Sequence, residues 1–166
     1  MLIQDPVYAH ELFLKSGQLG YAPSQYQLGL AYEYGYLNLL RDPRRSIAWY
    51  SKAAAQGDPE SELALSAWYI TGCDPILARS NLEAYLWAKK AADKGLAKAE
   101  FVLGYLKEYG IGATPDEDDG RRLYMRAAGQ GCKQAVARLK DQNSGIFKPL
   151  AAPNDWMRLR ECLFCE

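Results

Sequence analysis

The sequence is short of the groups on which most enzyme chemistry rests. It has one histidine, His10, among 166 residues, so a two-histidine metal site lacks its second imidazole, and any His-dependent triad would have to form with no accompanying motif. The four cysteines, Cys73, Cys132, Cys162 and Cys165, are scattered except for the last pair, and nothing at the start reads as a secretory signal. A reducing, cytosolic setting is expected rather than a disulfide framework. No stretch approaches the roughly 18 apolar residues of a transmembrane helix, and Leu163 holds the place where a C-terminal prenyl signal needs cysteine. Direct membrane insertion is therefore not expected. Neither sign of charge prevails, with 20 Lys+Arg against 20 Asp+Glu, which removes the electrostatic motive for binding nucleic acid. Strand-like alternation is missing as well.

What the sequence does have is an apolar share of 49%, enough to bury a core, and a repeat. The pattern aromatic-x-Lys/Arg-Ala-Ala-x-x-Gly occurs at Tyr50–Gly57 and Tyr124–Gly131, and with one extra residue at Trp87–Gly95. A weaker copy runs from Phe13 to Gly20. The closing glycines at 20, 57, 95 and 131 are 37, 38 and 36 residues apart. A second series keeps the same register: Leu28-Gly29, Leu65-Ser66 and Leu103-Gly104, each followed by Gly35, Gly72 and Gly110. Self-similarity at this period is the mark of a helical array.

Each unit reads as two helices. Leu28, Ala31, Tyr32 and Gly35 recur at three and four, one helical face, with a small residue at 29, 66 or 104 where a neighbour can approach. Ile47, Ala48, Tyr50, Ala53 and Ala54 form the second stripe, closed by Gly57 in a left-handed cap. Starts are marked by a capping residue before proline at Asp5-Pro6, Asp42-Pro43, Asp58-Pro59 and Thr114-Pro115, with capping-box spacing at Ser80–Glu83 and Thr114–Glu117. These signals predict helices at 6–18, 23–34, 43–56, 59–71, 81–94, 97–109, 115–129 and 132–140. The fold class is all-α, an α-solenoid of stacked antiparallel helix pairs. A partial unit at 5–22 precedes units at 23–58, 59–96 and 97–132, and a further unit starts at 133–140. Residues 141–153 read as a linker, and 154–166, with Trp156, Met157, Leu159, Leu163 and Phe164 at near-helical spacing, as a capping segment.

The units resemble Sel1-like repeats, relatives of tetratricopeptide repeats. Leu28-Gly29-x-x-Tyr32-x-x-Gly35 and Trp49-Tyr50-x-Lys52-Ala53-Ala54-x-x-Gly57 carry the likeness. Ser66 departs from the pattern in the second unit, and Lys107 stands where Tyr32 and Tyr69 stand elsewhere. Within that family, Leu63–Gly72 and Glu83–Glu100 are similar to fungal chitin synthase activators. That resemblance implies a non-catalytic scaffold, an adaptor of a chitin synthase in cell-wall synthesis, held at the cytoplasmic face of the plasma membrane through its partner. An adaptor in another complex, such as protein quality control or signalling, is the alternative.

No cofactor, metal or catalytic residue is expected. Gly110-Ile111-Gly112 follows a helix and lacks the lysine of a phosphate loop, so it reads as a turn. Asp116-Glu117-Asp118-Asp119 suits the first turn of a helix better than a calcium loop. Cys162 and Cys165 have zinc-ligand spacing without a second pair.

If the unit follows tetratricopeptide geometry, the residues beside the Leu-Gly pair face the inner wall of the array. They are Tyr26, Leu30, Glu33 and Tyr34; then Leu63, Ala67 and Ile70; then Phe101, Tyr105, Glu108 and Tyr109. Tyrosine offers contact area at little rotamer cost, which suits a partner's peptide or helix. The first helix, 6–18, looks like the second half of a unit, and self-association through the solenoid ends is expected from its uncovered face.

Overall fold

The computed structural model describes residues 5–143. Within them are eight helices: α1 Pro6–Gln18, α2 Ala22–Tyr34, α3 Pro43–Ala55, α4 Pro59–Thr71, α5 Asn81–Asp93, α6 Ala97–Glu108, α7 Glu117–Gly129 and α8 Lys133–Asn143. Among the described residues there is no strand, only an isolated bridge between Cys73 and Leu77. The segment 154–166, with Cys162 and Cys165, and most of the expected linker lie outside the described residues.

The helix starts follow from short polar side chains. Asp5 accepts from the N–H groups of Val7 and Tyr8, Asp42 from Arg45, Asp58 from Ser61 and Ser80 from Glu83, at 2.9–3.3 Å. Each bond satisfies a donor that the first helical turn leaves without an intrahelical acceptor. The start expected at Thr114-Pro115 falls instead at Glu117. Asp116 is the cap there, its Oδ1 accepting from the Asp119 N–H at 2.9 Å. Pro115 is drawn into the preceding turn, where its ring lies against Gly110. At the other end of the chain α8 runs on to Asn143, three residues into the segment expected to be linker.

One backbone bond recurs in all three complete units and sets the return of the second helix on the first. The cap residue of the second helix donates its N–H to a carbonyl in the last turns of the helix before: Asp42 to Tyr32 at 2.8 Å, Ser80 to Tyr69 at 2.9 Å, Asp116 to Lys107 at 2.8 Å. The closing glycines complete the punctuation. Gly20, Gly57, Gly95 and Gly131 have φ between 83° and 95°, the left-handed region that side chains with a Cβ resist.

The chain divides into two compact units, Met1–Leu65 and Ser66–Glu166, with the border inside α4. In the first, α2 packs on α1 and on α3, around Leu28, Ala31, Tyr32, Tyr50 and Ala53. In the second, α6 packs on α5 and α7, and α7 on α8, around Ala84, Ala88, Leu103, Leu106, Tyr124 and Ala127. The small residues expected at the crossings do allow close approach. A Cβ at Gly104 would sit 2.9 Å from the Gly120 carbonyl oxygen, so the α6 and α7 backbones nearly touch.

Candidate partner-binding face

Positions 26, 30 and 34 lie four apart on α2, as do 101, 105 and 109 at the corresponding places of α6 and its C-terminal cap, so each set forms one stripe along its helix. The two stripes differ in access. Tyr26, Leu30 and Tyr34 are half-buried, whereas Phe101 and Tyr105 are only 3% and 2% exposed, and Tyr109 is half-buried. Leu63, Ala67 and Ile70 on α4 are buried. Solvent therefore reaches four of the eleven residues singled out in the sequence. The other seven are buried, and in the second unit Phe101 packs against Tyr124 with ring centroids 5.5 Å apart.

Glu33 and Glu108 are among the buried ones, at 4% and 8% exposure. The Tyr50 hydroxyl donates to Glu33 Oε2 at 2.6 Å, and the Tyr124 hydroxyl donates to Glu108 Oε2 at 2.6 Å. The same pair is thus built twice, a glutamate of the first helix holding a tyrosine of the second. Burial pushes both phenols above their ordinary pKa, and the adjacent carboxylate pushes them further. Glu108 is further engaged by Arg138 of α8, whose Nη2 and Nε reach the two carboxylate oxygens at 2.6 and 3.3 Å, and by Gln142 at 3.1 Å. Arg138 Nη2 also donates to the Tyr109 hydroxyl at 2.6 Å. On α2, the half-buried Tyr34 ring stacks on Tyr36 at 5.5 Å, and Tyr26 lies 5.9 Å from Tyr50.

The departures in the sequence are compensated within the structure. A Cβ at Gly29 would collide with the Tyr50 ring, and one at Gly104 with the Tyr124 ring. In the middle unit the corresponding second-helix residue is Ala88, which leaves room for Ser66, and the Ser66 hydroxyl donates to the Ala84 carbonyl at 2.7 Å. With no phenol to accept from, the glutamate position becomes Ile70. Lys107 is explained in the same way. Tyr32 lies under Arg45, with the guanidinium 5.4 Å from its ring. At the equivalent pair of positions Lys107 forms an ion pair with Asp119. This lowers the Asp119 pKa, chiefly through the hydrogen bond from Lys107. Of the acidic run 116–119, Asp116 is the cap, Asp119 is held by Lys107 and by Arg122 at 3.1 Å, and Glu117 and Asp118 lie in the first turn of α7.

Sequence reasoning missed Tyr50, Tyr124 and Arg138 as partners of the two glutamates. The signal was there in the register: Glu33 and Glu108 occur in the units with tyrosine at 50 and 124, and Ile70 in the unit with Ala88. The His10 ring meets Tyr32 edge-on at 6.4 Å, and among the described residues its buried Nε2 has no hydrogen-bond partner. Among the described residues no group of His, Cys, Asp and Glu is arranged to hold a metal ion, and no helix is long and apolar enough to cross a membrane.

Comparison with known proteins agrees with the helical-repeat fold. A model of the Sel1 repeat matches residues 1–21, 22–58, 59–96 and 97–132. The chain is 48% identical over 137 residues to chitin synthase regulatory factor 3 of Schizosaccharomyces pombe, a match covering 82% of this chain and 15% of that protein. It is 42% identical over 155 residues to the chitin synthase regulator SKT5 of Malassezia restricta, covering 93% of this chain and 11% of that one. The chain thus spans a small part of the length of these relatives. Among solved structures, the c5321 protective antigen of uropathogenic Escherichia coli, described as displaying an SLR fold, superposes with a TM-score of 0.74 at 29% identity. That match covers 93% of this chain and 33% of the antigen.

Proposed function

The chain belongs to the Sel1 repeat family, and we propose that it is a non-catalytic interaction module of the chitin synthase regulator type, binding a protein partner through the tyrosine-bearing face of its first helices. The observation that carries this reading is the identity to two fungal chitin synthase regulators over most of the chain. The partner is the chitin synthase catalytic subunit, and it holds the module at the cytoplasmic face of the plasma membrane. Tyr26, Leu30 and Tyr34 on α2 make the contact in the first unit, and Tyr109 after α6 makes one in the second. Leu63, Ala67, Ile70, Phe101, Tyr105, Glu33 and Glu108 are buried, with Tyr105 packed against Tyr109 at 4.5 Å.

Affinity capture from fungal membrane extract tests the reading, using the chain and its Tyr26→Ala/Leu30→Ala/Tyr34→Ala variant as paired baits. The expected result is chitin synthase on the first bait and at least tenfold less on the second, with the same helical circular dichroism for both. Recovery of a different complex by the first bait removes chitin synthase as the partner. Equal capture by both baits removes the face.

A further inference from the structure

A cavity of about 360 Å³ opens within the first compact unit, bordered by Phe13 of α1, by Tyr21, Pro23 and Tyr26 at and after the start of α2, and by Asp58 and Glu60 at the start of α4. Its chemistry is two-sided. One side is aromatic, and Tyr21 is 60% exposed although it is a large apolar ring. The other side carries two carboxylates, and no basic residue lines the cavity. Asp58 spends one oxygen on the Ser61 N–H, and among the described residues neither Asp58 nor Glu60 has an ion-pair partner.

Acidic residues in a first helical turn complement the helix dipole, which makes these carboxylates tolerable there. It does not explain why tyrosine and phenylalanine rings are left open to solvent across from them. Nor is the pairing a general feature of the repeat. In the next unit the positions of Asp58 and Glu60 are held by Leu96 and Lys98. The acids belong to this site, where the rings are.

We propose that this cavity receives an arginine side chain from an extended segment of the partner protein. Guanidinium suits both walls at once. It is planar and weakly hydrated, so it stacks on tyrosine, and its fork of donors matches a carboxylate. Lysine's compact, strongly hydrated ammonium matches the charge but not the flat aromatic wall. The inference rests on the reading of the chain as a partner-binding module and adds the chemistry of one anchor residue.

The test needs no partner, so its failure is distinguishable from failure of the chitin synthase reading. Amide chemical shifts of the isotope-labelled chain would be followed during titration with N-acetyl-arginine amide, and separately with its neutral isostere N-acetyl-citrulline amide and with spermidine. We expect shifts confined to residues 13, 21–27 and 58–61, saturating on the order of 1 mM as befits so small a ligand. Citrulline should leave the same amides still. The Asp58→Asn/Glu60→Gln variant keeps the helix cap, because asparagine caps as well as aspartate, and should weaken the arginine titration at least tenfold. Tyr21→Ala, an exposed position, should weaken it several-fold with no loss of melting temperature. Equal response to citrulline, indifference to the acid substitutions, or shifts scattered over the surface would overturn the proposal. Saturation by spermidine but not by the arginine probe would overturn it too, in favour of a free polyamine. Shifts that depend on protein concentration alone would assign the cavity to a second copy of the chain.

Discussion

Gly29 has no side chain because the Tyr50 ring occupies the space where one would be, and that ring is pinned by its hydroxyl on Glu33. A methyl group there has no flexible neighbour to push aside. Gly29→Ala should therefore cost about 2 kcal/mol or more, toward the upper end for overpacking, read as a lower urea midpoint. The middle unit shows how the same crossing is built otherwise, with Ser66, Ile70 and Ala88 in place of glycine, glutamate and tyrosine. Ala88→Tyr alone should overpack against Ser66 and lower stability by about 1–3 kcal/mol. Ser66→Gly/Ile70→Glu/Ala88→Tyr, which rebuilds the neighbouring pattern, should recover at least half of that loss. If the triple variant melts no higher than the single one, the three positions are not coupled. Sequence alone displayed Ser66 as an exception. Its meaning lay in Ala88, more than twenty residues away, and only the packing of α4 on α5 joins the two.

At the scale of the element, most of the architecture was readable because helix ends are written locally. Asp5, Asp42, Asp58 and Ser80 cap the helices expected of them, and the left-handed glycines close the second helices at the expected places. The start expected at Thr114-Pro115 is the exception, since Asp116 is the cap. The deciding contact is not local: the Asp116 N–H goes to the Lys107 carbonyl and places the cap one hairpin bond from α6. Because the Asp42 side chain caps α3 while its backbone closes the same hairpin on Tyr32, side chain and backbone can be separated by substitution. Asp42→Ala should cost about 1 kcal/mol, while Asp42→Asn should stay within a few tenths. Comparable losses for both would mean that the Asp42 charge, 3.4 Å from Arg45, matters more than the cap. The proposed binding face was less legible than the helices. An i, i+4 stripe looks the same in sequence whether solvent or another helix covers it, and Phe101 and Tyr105 differ from Tyr26 and Leu30 only by what lies over them.

At the scale of the whole molecule, each compact unit contains a buried tyrosine that donates to a glutamate: Tyr50 in Met1–Leu65 and Tyr124 in Ser66–Glu166. Burial first, and the carboxylate next, raise both phenols well above the ordinary tyrosine value, so both keep their protons when the protein is folded in alkali. In the unfolded chain they lose them near pH 10. Above that pH the folded state binds more protons than the unfolded one, and stability falls as pH rises. Below it the two states bind equally and the contribution is complete. Each tyrosine should remove about 1.4 kcal/mol per pH unit above pH 10, and the two together about twice that. Urea midpoints measured between pH 9 and pH 11.5 should be level at first and then decline steeply. Tyr50→Phe and Tyr124→Phe each abolish one donor, so each should lower stability at neutral pH by about 1–3 kcal/mol while making the alkaline decline shallower. The double variant should lose most of the slope. Since one pair lies in each unit, a decline relieved by one substitution and untouched by the other would show that a single unit limits unfolding in alkali.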